Sequence, residues 1–298
     1  MEIAVFGAGS LGSLLGGLLA REHDVTLVGR DPHVRAIEER GLRISGAIDA
    51  TVYPAARLDA PDAADLAIVC VKAFDTPAAA AELADCDLDA CLSVQNGMGN
   101  ETVLAERLDA PVLAGTCSYG ALRPAPGEVR CTGVGEIVLG PRTGGASPLA
   151  DRVGTAFDRA EVVTSVADNM PTRLWEKLAV NAGINATTAL ARIDNGSVLD
   201  GDAWSVAAAA ARETAAVARR EGIEISDAAA EGAVRRVAEA TAENTSSMHQ
   251  DVLADRRTEV DAINGFIAER ASERGVDAPI NRTLAWLVRA WESGQGVR

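Results

Sequence analysis

A chain of 298 residues, 48% hydrophobic and 24% charged, is long enough to bury a large core and divides most naturally into two domains. Its formal net charge of −15 argues against nucleic acid as a partner, because phosphates would be repelled, and no segment approaches the roughly 18 uninterrupted apolar residues of a membrane helix. The five cysteines are odd in number and form no CxxC pair, which suits reduced thiols in a cytoplasmic protein better than a disulfide framework. His23, His33 and His249 have neither metal-ligand nor triad spacing and read as surface or capping residues, so no metal is expected.

The first element is a short apolar strand, Ile3-Ala4-Val5-Phe6, running into Gly7-Ala8-Gly9-Ser10-Leu11-Gly12 and then an apolar helix to about Ala20. This is a dinucleotide fingerprint in its proper setting. Gly7 permits the tight turn, Gly9 the approach of a pyrophosphate, and Gly12 the packing of helix on strand, with the helix N-terminus attracting the anion. A second strand, Val25 to Val28, follows where a βαβ unit needs one. A signal peptide fails on its flanks, since Met1-Glu2 offers no basic region and glycines interrupt the apolar run.

Residues 42–57 read as short extended segments, and Leu66 to Val71 as a parallel strand covered on both faces, with Lys72 at its C-terminal end. Thr76-Pro77 reads as the cap of the next helix. Further strands are expected at Cys91 to Val94 and Val112 to Thr116, and a hairpin at Glu128 to Thr132 with Glu136 to Leu139. In open parallel sheets the ligand lies beyond the carboxyl ends of the strands, which singles out Lys72 and Asn96. The small residues of Gln95-Asn96-Gly97-Met98-Gly99-Asn100 would let a ligand approach the backbone. From Pro171 onward the pattern becomes long Ala- and Arg-rich helices punctuated by Gly222, Gly275 and Pro279. The fold class is therefore α/β, with a Rossmann-type doubly wound parallel sheet over residues 1–168 and an all-helical domain over 169–298.

Only two lysines, Lys72 and Lys177, stand among the 28 basic residues. Arginine stays charged at every accessible pH, whereas a lysine ammonium can give up and regain a proton. Lys177, Asn181 and Asn185 recur at intervals of four and share one helical face. Asparagine is a poor helix former, so two of them in register with a lysine, amid Leu178, Val180 and Ile184, read as a polar wall for a small oxygen-rich ligand. Scarce lysine with abundant Asp and Glu also fits a saline cytoplasm, where the Debye length falls to about 3 Å at 1 M salt. An acidic protein of a GC-rich genome would look similar.

The glycine loop, Lys72, Asn96 to Gly99, Leu174 to Asn185, Glu243 to Met248 and Glu259 to Gly265 together resemble the ketopantoate reductase family, in the same order across both domains. The resemblance implies a Rossmann domain joined to a helical domain like that of 6-phosphogluconate dehydrogenase, with the active site in the cleft between them. It implies NADPH-dependent reduction of 2-dehydropantoate to (R)-pantoate, on the route to pantothenate and coenzyme A, and a halophilic archaeal source fits the composition. Carried over by position, Lys177 is the general acid and Asn96, Asn181, Asn185, Asn195 and Ser247 bind substrate. Gly7, Ala8, Gly9, Ser10, Leu11, Gly12, Lys72, Asn96 and Ala121 contact the cofactor. Glu259 matches an acidic residue beside the nicotinamide and the lysine, where a carboxylate would orient the ammonium and favour its charged form; its segment, Asp255 to Glu259, also reads as a charged helical face. Arg30 resembles the arginine that meets the 2′-phosphate of NADP, but the adjacent Asp31 leaves NADH open. A homodimer stays open too. Two other readings compete: a dehydrogenase for another 2-oxo, 3-oxo or phosphorylated acid, and a non-enzymatic nucleotide sensor, which would have no use for Lys177 and its two asparagines.

Overall fold

Unbroken apolar runs supply the central strands of an eight-stranded sheet in the computed structural model, which describes residues 1–298. The strands are β1 (Glu2–Phe6), β2 (Asp24–Val28), β3 (Leu42–Gly46), β4 (Ala50–Val52), β5 (Ala55–Arg57), β6 (Ala63–Val69), β7 (Asp87–Ser93), β8 (Val112–Cys117), β9 (Gly120–Leu122), β10 (Glu128–Gly133), β11 (Ile137–Pro141) and β12 (Thr164–Val166). The large sheet has the order β12-β11-β8-β7-β6-β1-β2-β5, and only the β8–β11 pairing is antiparallel. From β1 the chain builds outward through β2 and β5, then returns to build β6, β7 and β8 on the other side. The direction of winding therefore switches between β1 and β6, and a ligand is expected beyond their carboxyl ends.

Helices α1 (Ser10–Leu19), α2 (His33–Arg40), α3 (Thr76–Leu83), α4 (Asn100–Ala105) and α5 (Pro148–Arg159) complete this unit, which spans Met1–Gln95 and Gly99–Met170. A second, four-stranded sheet, β4-β3-β10-β9, packs against α1. It overturns the expected hairpin: β10 pairs with β3 and β9, whereas β11 pairs with β8 and β12. The physical reason is visible in the burial patterns. β10 buries alternate residues, Val129 and Cys131, as a sheet with one covered face requires, whereas β11 buries Ile137 to Gly140 without a break. Thr76 is likewise not the N-cap of α3, although Pro77 does sit in the first turn as expected. Thr76 is the first residue of α3, and its hydroxyl serves a buried side-chain network described below.

The second unit comprises Asn96–Met98 and Pro171–Arg298. Its helices are α6 (Met170–Ala191), α7 (Gly201–Arg220), α8 (Asp227–Ala240), α9 (Ser247–Leu253), α10 (Phe266–Arg274) and α11 (Pro279–Gln295), with a π-helical turn at Asp261–Gly265. Alanine-rich surfaces let the helices lie close, and Gly183 shows how close: a Cβ there would stand 2.9 Å from the Ala207 carbonyl oxygen. Trp175, Leu178, Ile184, Val198, Val234 and Ile267 fill the core around that contact. Ser226 and Ser246 cap α8 and α9, accepting from the Ala229 and His249 amides at 3.1 and 3.2 Å. No helix is long and apolar enough to cross a membrane. All five cysteines are free thiols.

Candidate active site

The glycine loop stands at the switch point, and its three glycines meet different demands. Gly7 has φ +103°, and a Cβ there would lie 2.7 Å from the Val71 nitrogen. One on Gly12 would lie 2.2 Å from the Gly7 carbonyl oxygen. Both are required by the fold itself. Gly9 is different, because a Cβ there would meet nothing nearer than the Gly7 oxygen at 3.9 Å. The fold leaves room above Gly9, as a pyrophosphate needs, beside the N-terminus of α1, where Ser10 and Leu11 open the helix and no acidic residue stands in the first turn. These residues fit a dinucleotide.

Lys72 is half-buried at the start of the short turn Ala73–Asp75 that leads into α3. A buried network braces this turn. The Gln95 amide donates to the Val71 carbonyl at 2.9 Å and to the Thr76 hydroxyl at 2.7 Å, and that hydroxyl donates to Asn100 at 2.9 Å. Arg30 is exposed, its guanidinium 3.3 Å from the Asp75 carboxylate, and Ala121 lies half-buried in β9 opposite Cys131.

His33 is 1% exposed and corrects the expectation of a surface residue. The Gly127 amide donates to its Nδ1 at 2.9 Å, so Nε2 carries the proton toward Ser13 Oγ, also at 2.9 Å. Burial, with the positive charge of Arg123, lowers its pKa to about 4. The unfolded chain therefore takes up a proton near pH 6.5 that the folded chain refuses until about pH 4, so stability is full above 6.5 and drains away across that window as pH falls. The loss should reach about 3 kcal/mol at most. Urea melts of wild type and His33→Asn between pH 4 and 7 check this: the variant's stability should fall less steeply over the window, and parallel slopes would remove His33 as the cause.

The helical unit carries the other candidate residues. Lys177, Asn181 and Asn185 do fall on one face of α6, the first two half-buried and Asn185 buried. Asn195 is buried at the head of the short turn Asn195–Leu199, its amide donating to the Thr241 hydroxyl at 2.9 Å while its Oδ1 has no protein partner. Its backbone N–H bonds the Asn244 carbonyl at 3.0 Å, and Ser246 Oγ lies 2.7 Å from Thr188 Oγ1, one turn beyond Asn185. The 241–247 loop is thereby fastened to α6, with Ser247 exposed at the start of α9. His249 is buried as well, against expectation, because α9 turns its Met248-His249 side into the core.

Glu259 is not on a charged helical face. It is buried in the loop before the π-helical turn, and the Asn96 amide donates to its carboxylate at 3.4 Å. Two residues from distant parts of the sequence are thus brought together. The adjacent Gly97, read as room for a ligand, instead admits protein: a Cβ there would lie 2.5 Å from that of Ala262, and the Met98 amide donates to the Ala262 carbonyl at 3.0 Å. Glu292, fully buried on α11, accepts from both the backbone N–H and the hydroxyl of Thr258, at 2.8 and 2.7 Å, and its other oxygen accepts from Arg298 at 2.8 Å. On the far side of the loop Asp261 accepts from Arg289 at 2.7 Å. Residues 258–261 are therefore clamped on both flanks of Glu259.

Residues 3–144 match the family Ketopantoate reductase PanE/ApbA, and residues 169–292 match its C-terminal family. A 2-dehydropantoate 2-reductase of Halobacterium salinarum is 42% identical over 97% of this chain and 98% of its own. A PanE/ApbA family ketopantoate reductase from Ralstonia eutropha JMP134 superposes with TM-score 0.90 at 34% identity, over 99% of this chain and all of that one. D-mandelate dehydrogenase, solved with NADH and anilino(oxo)acetate, superposes with TM-score 0.93 at 25% identity over the whole of both chains.

Proposed function

The chain belongs to the ketopantoate reductase family, and from that premise we propose that it reduces 2-dehydropantoate to (R)-pantoate with NADPH. The observation that carries this reading is the row Lys177, Asn181, Asn185 on one face of α6, in a chain that otherwise uses arginine almost exclusively as its base. Residues 1–168 are assigned to nucleotide binding and residues 169–298 to substrate binding and catalysis, with Asn96 serving both.

NADPH, when bound, supplies the hydride that reduces the C2 carbonyl carbon. Everything else is work for the chain. Gly7 to Gly12 receive the pyrophosphate, Lys72 and Ala121 contact the nucleotide, and Arg30 meets the 2′-phosphate. The Lys177 ammonium donates a proton to the C2 oxygen as negative charge develops there, a role its half-buried place on a rigid helix suits. Asn181, Asn185, Asn195 and Ser247 offer amides and a hydroxyl to the carboxylate and hydroxyl of the substrate. Glu259, buried and clamped, orients the ammonium. An assay of NADPH oxidation across a panel of 2-oxo acids tests the assignment. One observation favours a second reading: the close superposition on D-mandelate dehydrogenase, solved with NADH, makes a related 2-oxo acid reductase using NADH the alternative to exclude.

The acidic composition leads to a further expectation. Screening weakens repulsion among surface carboxylates, and between them and an anionic cofactor, faster than it weakens partly buried contacts. Activity and melting temperature should both rise from low salt to about 1 M KCl. Monotonic inhibition with no gain in Tm would leave a saline habitat without support.

A further inference from the structure

We propose that Arg123 is a second cation for the ribose 2′-phosphate of the cofactor and helps to set the preference for NADPH. The inference deepens the NADPH reading and rests on it. Arg30 alone is a weak selector in this structure: it is exposed, and the Asp75 carboxylate 3.3 Å away already shares its charge. Asp31 stands beside it, 3.9 Å from Arg35. A phosphate monoester carries close to two negative charges at neutral pH and calls for more than one cation.

Arg123 is placed to supply that cation. It follows β9, the edge strand of the four-stranded sheet, and its guanidinium donates to the Ala8 carbonyl at 3.4 Å. Ala8 marks the corner between the glycine loop and the end of β2. Its N–H bonds the Val28 carbonyl at 2.8 Å, and a Cβ on Gly29, the residue before Arg30, would lie 2.8 Å from its own. That corner is where a Rossmann fold receives the adenosine ribose.

The segment that carries Arg123 is fastened to α2, the helix that follows this corner. Arg40 of α2 donates to the Pro126 carbonyl at 2.7 Å, and the Gly127 amide donates to His33 of α2 at 2.9 Å. Gly127 itself has φ +75° and lies against Ala36, so the loop returns close over α2. A cation exposed on a loop that is tied to α2 and itself bonded to Ala8 is preorganised for an anion at that corner, and the long bond to Ala8 leaves most of its donors unspent.

Fluorescence titration of the purified protein with NADPH and NADH, and displacement of NADPH by 2′,5′-ADP and by 5′-AMP, gives the dissociation constants without turnover. Arg123→Ala should weaken NADPH and 2′,5′-ADP at least about tenfold, as expected for a lost charge-assisted contact, and leave NADH and 5′-AMP within about threefold. Arg123→Gln, which keeps a donor for Ala8 but no charge, should behave the same way and serves if the alanine variant is unstable; Arg30→Ala sets the scale. Equal weakening of both dinucleotides, or of neither, overturns the role of Arg123. Wild-type protein that binds NADH as tightly as NADPH overturns the NADPH reading itself, and the inference with it.

Discussion

Lys177→Arg should fold, bind NADPH with little change, and lose about 10² to 10⁴ of its kcat. The substitution keeps a positive charge on the same face of α6, so attraction for a carboxylate substrate is retained and KM should move far less than kcat. What it removes is a donor that can release its proton to an oxygen gaining negative charge, since a guanidinium holds its proton at every accessible pH. The size of the loss separates this role from simple charge placement, for which arginine would substitute well. Circular dichroism and NADPH titration establish that the variant is intact, and steady-state kinetics give the result. A kcat within threefold of wild type would sink the assignment of Lys177 as the acid.

The glycine loop was legible because its demands are local: Gly7 and Gly12 leave no room for a side chain in the turn that follows β1. The α6 face was legible for a related reason. Helical periodicity turns a spacing of four into a shared face, and asparagine amid buried apolar residues has no cheap structural purpose. Partners distant in sequence were not legible. Nothing local announces that Glu292 holds the backbone of Thr258, or that Asn96 reaches Glu259, because both pairings exist only once the helical unit has folded. The same limit explains the false hairpin. Nearness in sequence suggested pairing β10 with β11, whereas β10 pairs in parallel with β3, some 85 residues earlier. Their contrasting burial, alternating in one and continuous in the other, was the signal that separated them. Gly97 teaches a further distinction: a glycine marks a close approach, but the sequence does not say whether ligand or protein is approaching.

The substrate itself should be distinguished by its terminal hydroxyl. 2-Dehydropantoate offers a carboxylate, a ketone, a hydroxymethyl group and a gem-dimethyl carbon, and 2-oxoisovalerate lacks the hydroxymethyl. On the proposed reading the polar set Lys177, Asn181, Asn185, Asn195 and Ser247 must satisfy all three oxygen functions at once. A site that hydrogen-bonds a hydroxyl rejects the analogue lacking it, because its own amides are left unpaired when water is excluded. On that reading the half-buried Asn181 and the buried Asn185 are the amides left unpaired. The value of kcat/KM for 2-dehydropantoate should exceed that for 2-oxoisovalerate by at least about 10². Asn181→Ala should narrow the gap by damaging the true substrate more than the analogue, since only the former gains from the amide. If the wild-type enzyme handles the two equally, or ignores both while reducing an arylated or 3-oxo acid, the ketopantoate assignment fails. The related oxo-acid dehydrogenase then takes its place, with the glycine loop and the Lys177 acid chemistry unchanged and only the substrate wall reassigned.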